Sequence, residues 1–374
     1  MSPMRDPTPA DLPPLLILGR ADVERLLPMA DCMAVMEDAL RALARGEGVV
    51  PLRPVMRIPD GRGLLGLMPA FLTDAEPRGN DGSGDAAGAH RHTPDAHTDG
   101  AGGLQPPSRD ALGVKVVGIF PGNHGTGRDS HQGVVMLFDG HDGAPLAIVD
   151  ARSVTAIRTA AVSGVATRVL ARDDAGDLAL LGAGVQAVTH LEAMRAVRRV
   201  RRVRVWSRTP AHARAFAARE SVRQGISIDV VDRPRDAVRD ADIICTVTAS
   251  AEPVLEGAWV SAGAHINAVG SSVPRARELD SAAVAMSRLI VDSRESALHE
   301  AGDILTPIAE GAITAAHIAA ELGEVLQGTA PARTSPQEVT LFKSLGLGAE
   351  DVAAARTLYA RAYAAGVGTR ASLD

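Results

Sequence analysis

Apolar and polar positions change their spacing several times along the chain, and each change marks an element. "LLILG", near residue 15, is a short apolar run that predicts a strand. "ADCMAVMEDALRALARG" follows with apolar residues at helical spacing and Gly46 as a stop. Residues 50–72 alternate and contain "PDGRG", which predicts a hairpin. "GVKVVGIFPG" and "GVVMLFDGHDGAPLAIVD" are β-rich, the second turning at "DGHDG". Residues 153–171, "SVTAIRTAAVSGVATRVLA", predict an alanine-rich helix with Ser153 as its N-cap.

"GDLALLGAGVQAVTHLEAMRAVRRVRRVRVWSRT" then reads as strand, glycine turn, helix and strand. "DIICTVTAS", "AHINAVGSS" and "RLIVDS" read as further buried strands. Such a succession predicts a doubly wound parallel sheet with right-handed crossovers, an α/β fold of Rossmann type. The segment 313–367 has a helical pattern, as in "AAHIAAELGEVLQG" and "AEDVAAARTLYARAYAAG". The expected organisation is a nucleotide domain over 151–312. Residues 14–150 and 313–374 would join into an α+β domain for substrate and dimerisation.

Composition narrows the function classes. A chain of 374 residues with 46% hydrophobic content can build two domains with a sizeable core. A net charge of −6 and only 2% aromatic residues argue against nucleic-acid binding. No run of roughly 18 apolar residues occurs, so no membrane span is expected. Residues 1–13 are proline-rich without an apolar core and predict a disordered tail, not a signal peptide. Residues 75–110 are rich in Gly, Asp, Pro and His and predict a disordered insertion. Its His90, His92 and His97 read as part of a polar loop, and no metal is expected. Cys32 and Cys245 lack metal-ligand spacing and read as core residues in a reducing compartment, the cytoplasm.

The glycine turn carries the first chemical hint. Gly182 permits the tight turn, and Gly184 lets backbone approach a pyrophosphate. Ala187 stands where close helix–strand packing needs a small side chain. The N–H groups at the helix start, from Gly182, Ala183, Gly184, Val185 and Gln186, would face the phosphates. By itself the motif also fits an ordinary turn between strand and helix, but the strand before it and the helix after it favour the nucleotide reading. An NAD-binding fold usually places an acid at the end of the second strand. This chain has Ser207, Arg208 and Thr209 there, a set that suits a 2′-phosphate and favours NADP(H) over NAD(H). The run Arg195, Arg198, Arg199, Arg201, Arg202 and Arg204 reads as a solvated face.

Many segments in order now resemble the ornithine cyclodeaminase/mu-crystallin family. They are "RPVMRIPDGRGLLGLMPAF", "GVKVVGIFPGN", "SHQGVVMLFD", "TAIRTAAVS", "LGAGVQA", "VWSRT", "SAGAHINAVGSSVPRARELD", "VDSRESALHEAGDIL" and "FKSLGLGAEDVAAA". The resemblance runs from about residue 15 to 365 and is far more specific than the glycine turn. It implies a homodimer with a Rossmann domain and a dimerisation/substrate domain. Members include cyclodeaminases, ketimine and cyclic-imine reductases and amino-acid dehydrogenases, which exchange hydride between nicotinamide and the Cα of an amino or imino acid.

The resemblance also implies residue roles. Arg53 and Arg158 match arginines associated with the substrate carboxylate, which a planar guanidinium binds in bidentate fashion. Lys115 matches an active-site lysine that binds the carboxylate or donates a proton. His131 and Gln132 match a segment near the nicotinamide, and Thr159, Val247 and Thr248 complete the expected cofactor contacts. His190 and His265 read as structural. Ornithine cyclodeaminases carry a glutamate just before "LMP" and an aspartate after "NAVGG". Here those positions hold Gly66 and Ser272, as in members of the mu-crystallin branch. A substrate with a second, cationic amine would lose its counter-charge and its acid/base partner. The expectation is therefore reduction of a cyclic imino acid, with the proton coming from Lys115, from Ser272 through water, or from bulk. The alternatives are a cyclodeaminase or amino-acid dehydrogenase, and a ligand-binding protein that retains NADPH.

Overall fold

The computed structural model describes residues 14–73, 104, 110–123 and 126–373. The expected tail 1–13 and nearly all of the expected insertion 75–110, including its three histidines, lie outside the described residues.

Two eight-stranded sheets organise the chain. One contains only parallel pairings, in the order Ile228–Val230, Arg202–Trp206, Asp177–Leu181, Ile243–Thr246, His265–Ala268, Val339–Lys343, Ser287–Val291 and Ile318–Glu321. The order reverses between Asp177–Leu181 and Ile243–Thr246, which makes this the switch point of a Rossmann-type sheet. These two strands are buried almost throughout, and their continuous apolar runs are what a sheet covered on both faces requires.

The other sheet is mainly antiparallel. Its centre is formed by Leu64–Leu72, Ala111–Ile119, His131–Phe138 and Pro145–Asp150. The hairpin expected over 50–72 forms between Val55–Arg57 and Leu64–Leu72. Along these strands side chains alternate. Met68, Lys115, Val135 and Val149 are buried on the inner face, against the helices Met29–Ala44, Ala151–Leu170 and Gly348–Ala365.

Ala151–Leu170 joins the two halves. It packs against Met29–Ala44, Val185–Val197 and Gly348–Ala365, so nearly all its sides are covered. Small residues allow this approach: a Cβ on Gly164 would lie 3.1 Å from Met33 Cε. Its N-cap is Asp150, whose carboxylate accepts from Ser153 N at 2.9 Å. The cap therefore lies three residues before the serine expected to provide it.

The parallel sheet extends past residue 312. Ile318–Glu321 and Val339–Lys343, from a segment expected to belong wholly with the N-terminal part, are two of its strands. "VTLFK" is short and buried at every position, so it shows no alternation. The lysine at its end further obscures it.

Candidate active site

The inner face of the antiparallel sheet, the start of Ala151–Leu170 and the start of Gly348–Ala365 bring charged side chains together. Lys115 projects inward from the middle of Ala111–Ile119 and is buried. Its Nζ lies 2.6 Å from Asp351 Oδ2 and donates to Thr155 Oγ1 at 3.4 Å. Arg158 donates from Nε to Asp351 Oδ1 at 3.0 Å and from Nη1 to Glu350 Oε2 at 2.6 Å. Arg53 reaches the same region from the strand-free segment before Val55–Arg57. It pairs with Glu300 Oε2 at 2.7 Å and donates to the carbonyls of Leu345 and Gly346, both at 3.3 Å.

The short loop at 345–346 is the hub. Its two N–H groups donate to Asp292 Oδ2, at 2.5 and 2.7 Å. Gly346 has φ +79, and a Cβ there would lie 2.3 Å from Arg158 Nη1. Only glycine combines that backbone with that approach.

Burial and mutual charge set the protonation states. Burial pushes the Lys115 ammonium down to about 8, against the pull of Asp351 and with the help of Arg158. Burial pushes the Glu350 carboxyl up to about 7; Arg158 opposes this, and Asp292 and Asp351 add to it. Asp351 is as buried, yet Arg158 and Lys115 outweigh burial and hold it below its ordinary value. Glu300 and Asp292 are both raised by burial despite Arg53. The cluster thus pairs arginines with one acid, Glu350, and one lysine, Lys115, that are brought toward neutrality by burial.

Of the residues expected to meet a cofactor, Gly182–Gln186, Val247 and Thr248 lie at the carboxyl ends of the two switch-point strands. Gly182 has φ +120, and a Cβ there would meet Val247 O at 2.7 Å. Gly184 is the N-cap of Val185–Val197, and a Cβ on it would meet nothing within 4 Å, so a ligand can approach. Ala183 packs against the core and Val185 is exposed. Gln186 donates from Nε2 to Thr155 O at 3.4 Å, while its buried Oε1 has no hydrogen-bond partner. Bare glycine backbone and an unsatisfied buried acceptor fit a dinucleotide lying across this turn. Val247 N donates to Leu181 O at 2.9 Å, and Thr248 is held by Glu278.

Ser207, Arg208 and Thr209 follow the end of Arg202–Trp206, and Arg208 is exposed. Thr209 N donates to Ser207 Oγ at 3.4 Å. His131 and Gln132 stand at the rim of the antiparallel sheet, where Gln132 donates to Asp129 O at 3.2 Å. Thr159 is buried next to Arg158. Ser272 is exposed on the segment after His265–Ala268, and no described hydrogen bond joins it to the cationic cluster.

Other expectations divide. His190 is enclosed between Gln186 O at 2.7 Å and Ser163 Oγ at 3.0 Å, and burial pushes it down to about 4. His265 lies between Thr340 and Asn267. Both are core residues. The arginine run is not one solvated face. Arg204 is buried within the sheet and donates to Asp236 O at 3.1 Å and to Arg239 O. Arg198 donates to the carbonyls of Thr167, Arg168, Ala171 and Arg172, capping the long helix. Sequence alone missed Glu300, Glu350 and Asp351. The last two open a helix in "GLGAED", where acids ordinarily complement the dipole from solvent.

The sheet order and the glycine turn define a Rossmann-type dinucleotide-binding protein with a largely buried cluster of paired cations and carboxylates, which meets the turn at Thr155, the partner of both Lys115 and Gln186. Residues 96–366 match the ornithine cyclodeaminase/mu-crystallin family. The ketimine reductase mu-crystallin of Mus musculus is 39% identical over 327 residues, 87% of this chain and 90% of that protein. The Delta(1)-pyrroline-2-carboxylate reductase of Bacillus cereus is 43% identical over 262 residues, 70% of this chain and 80% of that protein. The structure of Thermococcus litoralis Delta(1)-pyrroline-2-carboxylate reductase, in complex with NADH and L-proline, aligns with a TM-score of 0.84 and 38% identity. It covers 95% of this chain and 99% of its own. This chain belongs to the ornithine cyclodeaminase/mu-crystallin family.

Proposed function

We propose that the protein reduces a cyclic imino acid, a ketimine carrying a carboxylate on its C=N carbon, to the corresponding cyclic amino acid. The observation that carries this reading is the convergence of Arg53 and Arg158 on the 345–346 loop, with Lys115 sharing Asp351 with Arg158 and Thr155 with Gln186 of the glycine turn. The names of the related ketimine and pyrroline-2-carboxylate reductases support it.

A reduced nicotinamide, when bound, supplies the hydride for the imine carbon. Everything else falls to the chain. Gly182, Ala183, Gly184, Val185 and Gln186 would hold the pyrophosphate, with Val247 and Thr248 on the opposite wall and Thr159, His131 and Gln132 toward the nicotinamide. The ion pairs of Arg158 use Nε and Nη1, which leaves Nη2 for a substrate carboxylate. Arg53 is engaged through Nη2 alone, which leaves Nε and Nη1. Two such donors fix the imine carbon in one orientation. Lys115, lowered to about 8, still holds a proton at neutral pH and gives it up readily to the imine nitrogen. Exposed Ser272 has no described link to the cluster, which favours Lys115 over it as donor.

Gly66 favours an imine over a diamino acid. It lies opposite Val117 and Val55, and a Cβ there would meet Val117 alone, at 3.6 Å from Cγ1 and 3.9 Å from O, both ordinary contacts. A side chain would fit at this position, yet none is present to balance a distal amine.

Arg208 and its neighbouring hydroxyls favour NADP(H), although the Thermococcus relative holds NADH. The partner is a second copy of this chain. The outer face of the antiparallel sheet carries the cross-strand row Leu67, Val116, Val134 and the row Val114, Met136, Ile148, Ile17, all apolar and none buried. A continuous apolar face of this kind calls for a partner, and self-association covers it symmetrically. No helix among the described residues is long and apolar enough to cross a membrane. The cysteines are buried and unpaired, which accords with the cytoplasm.

The test is an assay of the full chain with five- and six-membered cyclic ketimine carboxylates, monitoring loss of NADPH and of NADH absorbance. Ketimine-dependent oxidation of NADPH, faster than that of NADH, is expected. Conversion of ornithine to proline and ammonia, with no ketimine reduction, would overturn the proposal. Tight NADPH binding without either reaction would identify a ligand-binding protein instead.

A further inference from the structure

Glu278, Asp303 and Lys343 are buried ionisable groups that the chemistry above does not use. The Glu278 carboxylate accepts four hydrogen bonds: from Thr246 Oγ1 at 2.8 Å, Thr248 N and Thr248 Oγ1 both at 2.6 Å, and Gly270 N at 2.7 Å. Behind it, Asp303 Oδ1 accepts from Glu278 N at 2.7 Å and Leu279 N at 3.0 Å. Asp303 Oδ2 accepts from Lys343 Nζ at 2.8 Å, and the same Nζ donates to Ser271 O at 2.5 Å.

The partners share one location. Thr246 ends Ile243–Thr246, Gly270 follows His265–Ala268, and Lys343 ends Val339–Lys343. These three strands are neighbours in the parallel sheet, and all three sites lie at their carboxyl ends. The first segment so held, 247–250, starts against the glycine turn, where Val247 O lies 2.7 Å from the place of a Cβ on Gly182, and the second, 269–276, follows the next strand. Two residues beyond Lys343 begins the 345–346 loop that receives Arg53 and Asp292. The network therefore links the cofactor edge to the cationic cluster.

Contacts within it are at the steric limit. A Cβ on Gly270 would lie 2.0 Å from Thr248 O and 2.5 Å from Glu278 Oε1. A Cβ on Gly302 would lie 2.1 Å from Ala276 O. Parallel strands pair without any carboxylate, and a buried ion pair is a weak source of net stability. What four convergent donors on one carboxylate do supply is a fixed separation between two loops.

We infer that Glu278, backed by Asp303 and Lys343, is a positioning residue for hydride transfer, holding the 247–250 and 269–276 segments at the nicotinamide end of the crevice. The inference rests on the reductase reading. Hydride transfer is steeply sensitive to donor–acceptor distance, so a small displacement of these loops slows chemistry before it weakens binding of the distant adenine half.

The test uses full-length Glu278→Gln, whose amide turns a donor toward groups that already donate. Three quantities are measured: kcat with a cyclic ketimine, the primary isotope effect with 4-deuterated reduced cofactor, and affinity for 2′-phospho-ADP-ribose, which lacks the nicotinamide. The expected result is a kcat lower by about tenfold or more, a larger isotope effect, and unchanged fragment affinity. An unchanged kcat and isotope effect would overturn the inference. So would parallel losses of kcat, fragment affinity and melting temperature, which mark a purely structural role. Should Glu278→Gln not fold, Asp303→Asn serves in its place with the same readouts. A wild-type chain without reductase activity would instead remove the functional reading itself.

Discussion

Lys115 and Asp351 form a 2.6 Å ion pair in which both side chains are buried. The same carboxylate accepts from Arg158 at 3.0 Å. One acid, from the far end of the sequence, therefore orients both the proposed proton donor and the guanidinium proposed to bind the substrate carboxylate. Asp351→Asn would leave buried Lys115 without its charged partner and Arg158 with Glu350 alone. Breaking a buried pair in this way costs about 3–5 kcal/mol. A clear fall in melting temperature by calorimetry is expected, with a raised KM for the ketimine. Wild-type stability and KM would show that Asp351 is a bystander.

As the proposed proton donor, the Lys115 ammonium, pushed down to about 8 by burial, would give the reaction an alkaline limit. A proton donor must be protonated, so kcat falls as pH rises through about 8. Lys115→Arg remains charged, and in that variant kcat is lower and the fall near pH 8 disappears. Stability runs the other way. Between about 8 and 10.5 the unfolded chain holds more protons on this lysine than the native one, so its contribution to stability rises with pH there. A pH profile of kcat that is identical in wild type and variant would exclude Lys115 as the donor.

Arg208 is exposed at the strand end where the adenosine ribose would lie. A charge-assisted hydrogen bond to a phosphate contributes about 1.5–3 kcal/mol, so Arg208→Ala should weaken NADPH by roughly 10- to 100-fold. NADH, without the 2′-phosphate, should be nearly unaffected. Titration calorimetry with both cofactors checks this. Equal losses would refute the phosphate assignment.

Val116 is central in the outer apolar row, opposite Leu67 on one side and Val134 on the other. A charge here is tolerable in a monomer and unfavourable in a covered interface. Val116→Asp should convert a dimer to a monomer in analytical ultracentrifugation. If the wild-type chain itself sediments as a monomer, this face does not mediate self-association.

The parts legible in the sequence are local. The glycine turn was readable because a strand, two glycines and a helix start follow one another within a few residues. The structure gives Gly182 the φ of +120 that such a turn requires. Lys115 and Arg158 stand out chiefly through family resemblance, since the acids that surround them are distant in sequence. Arg204 and Val339–Lys343 misled because a fully covered parallel strand shows no polar side, and its charged residues look solvent-bound until their partners are known.

By itself, the sequence determined the Rossmann class, the turn that would carry a dinucleotide, and the residue types available for chemistry, because these depend on neighbours along the chain. Tertiary structure decided which charges meet. Arg158 finds Asp351 across 193 residues, and Arg53 finds the Leu345 carbonyl across 292. Burial then set the acid–base character, lowering Lys115 to about 8 and raising Glu350 to about 7. Desolvation and Coulomb interaction act through space, and no spacing along the chain records them.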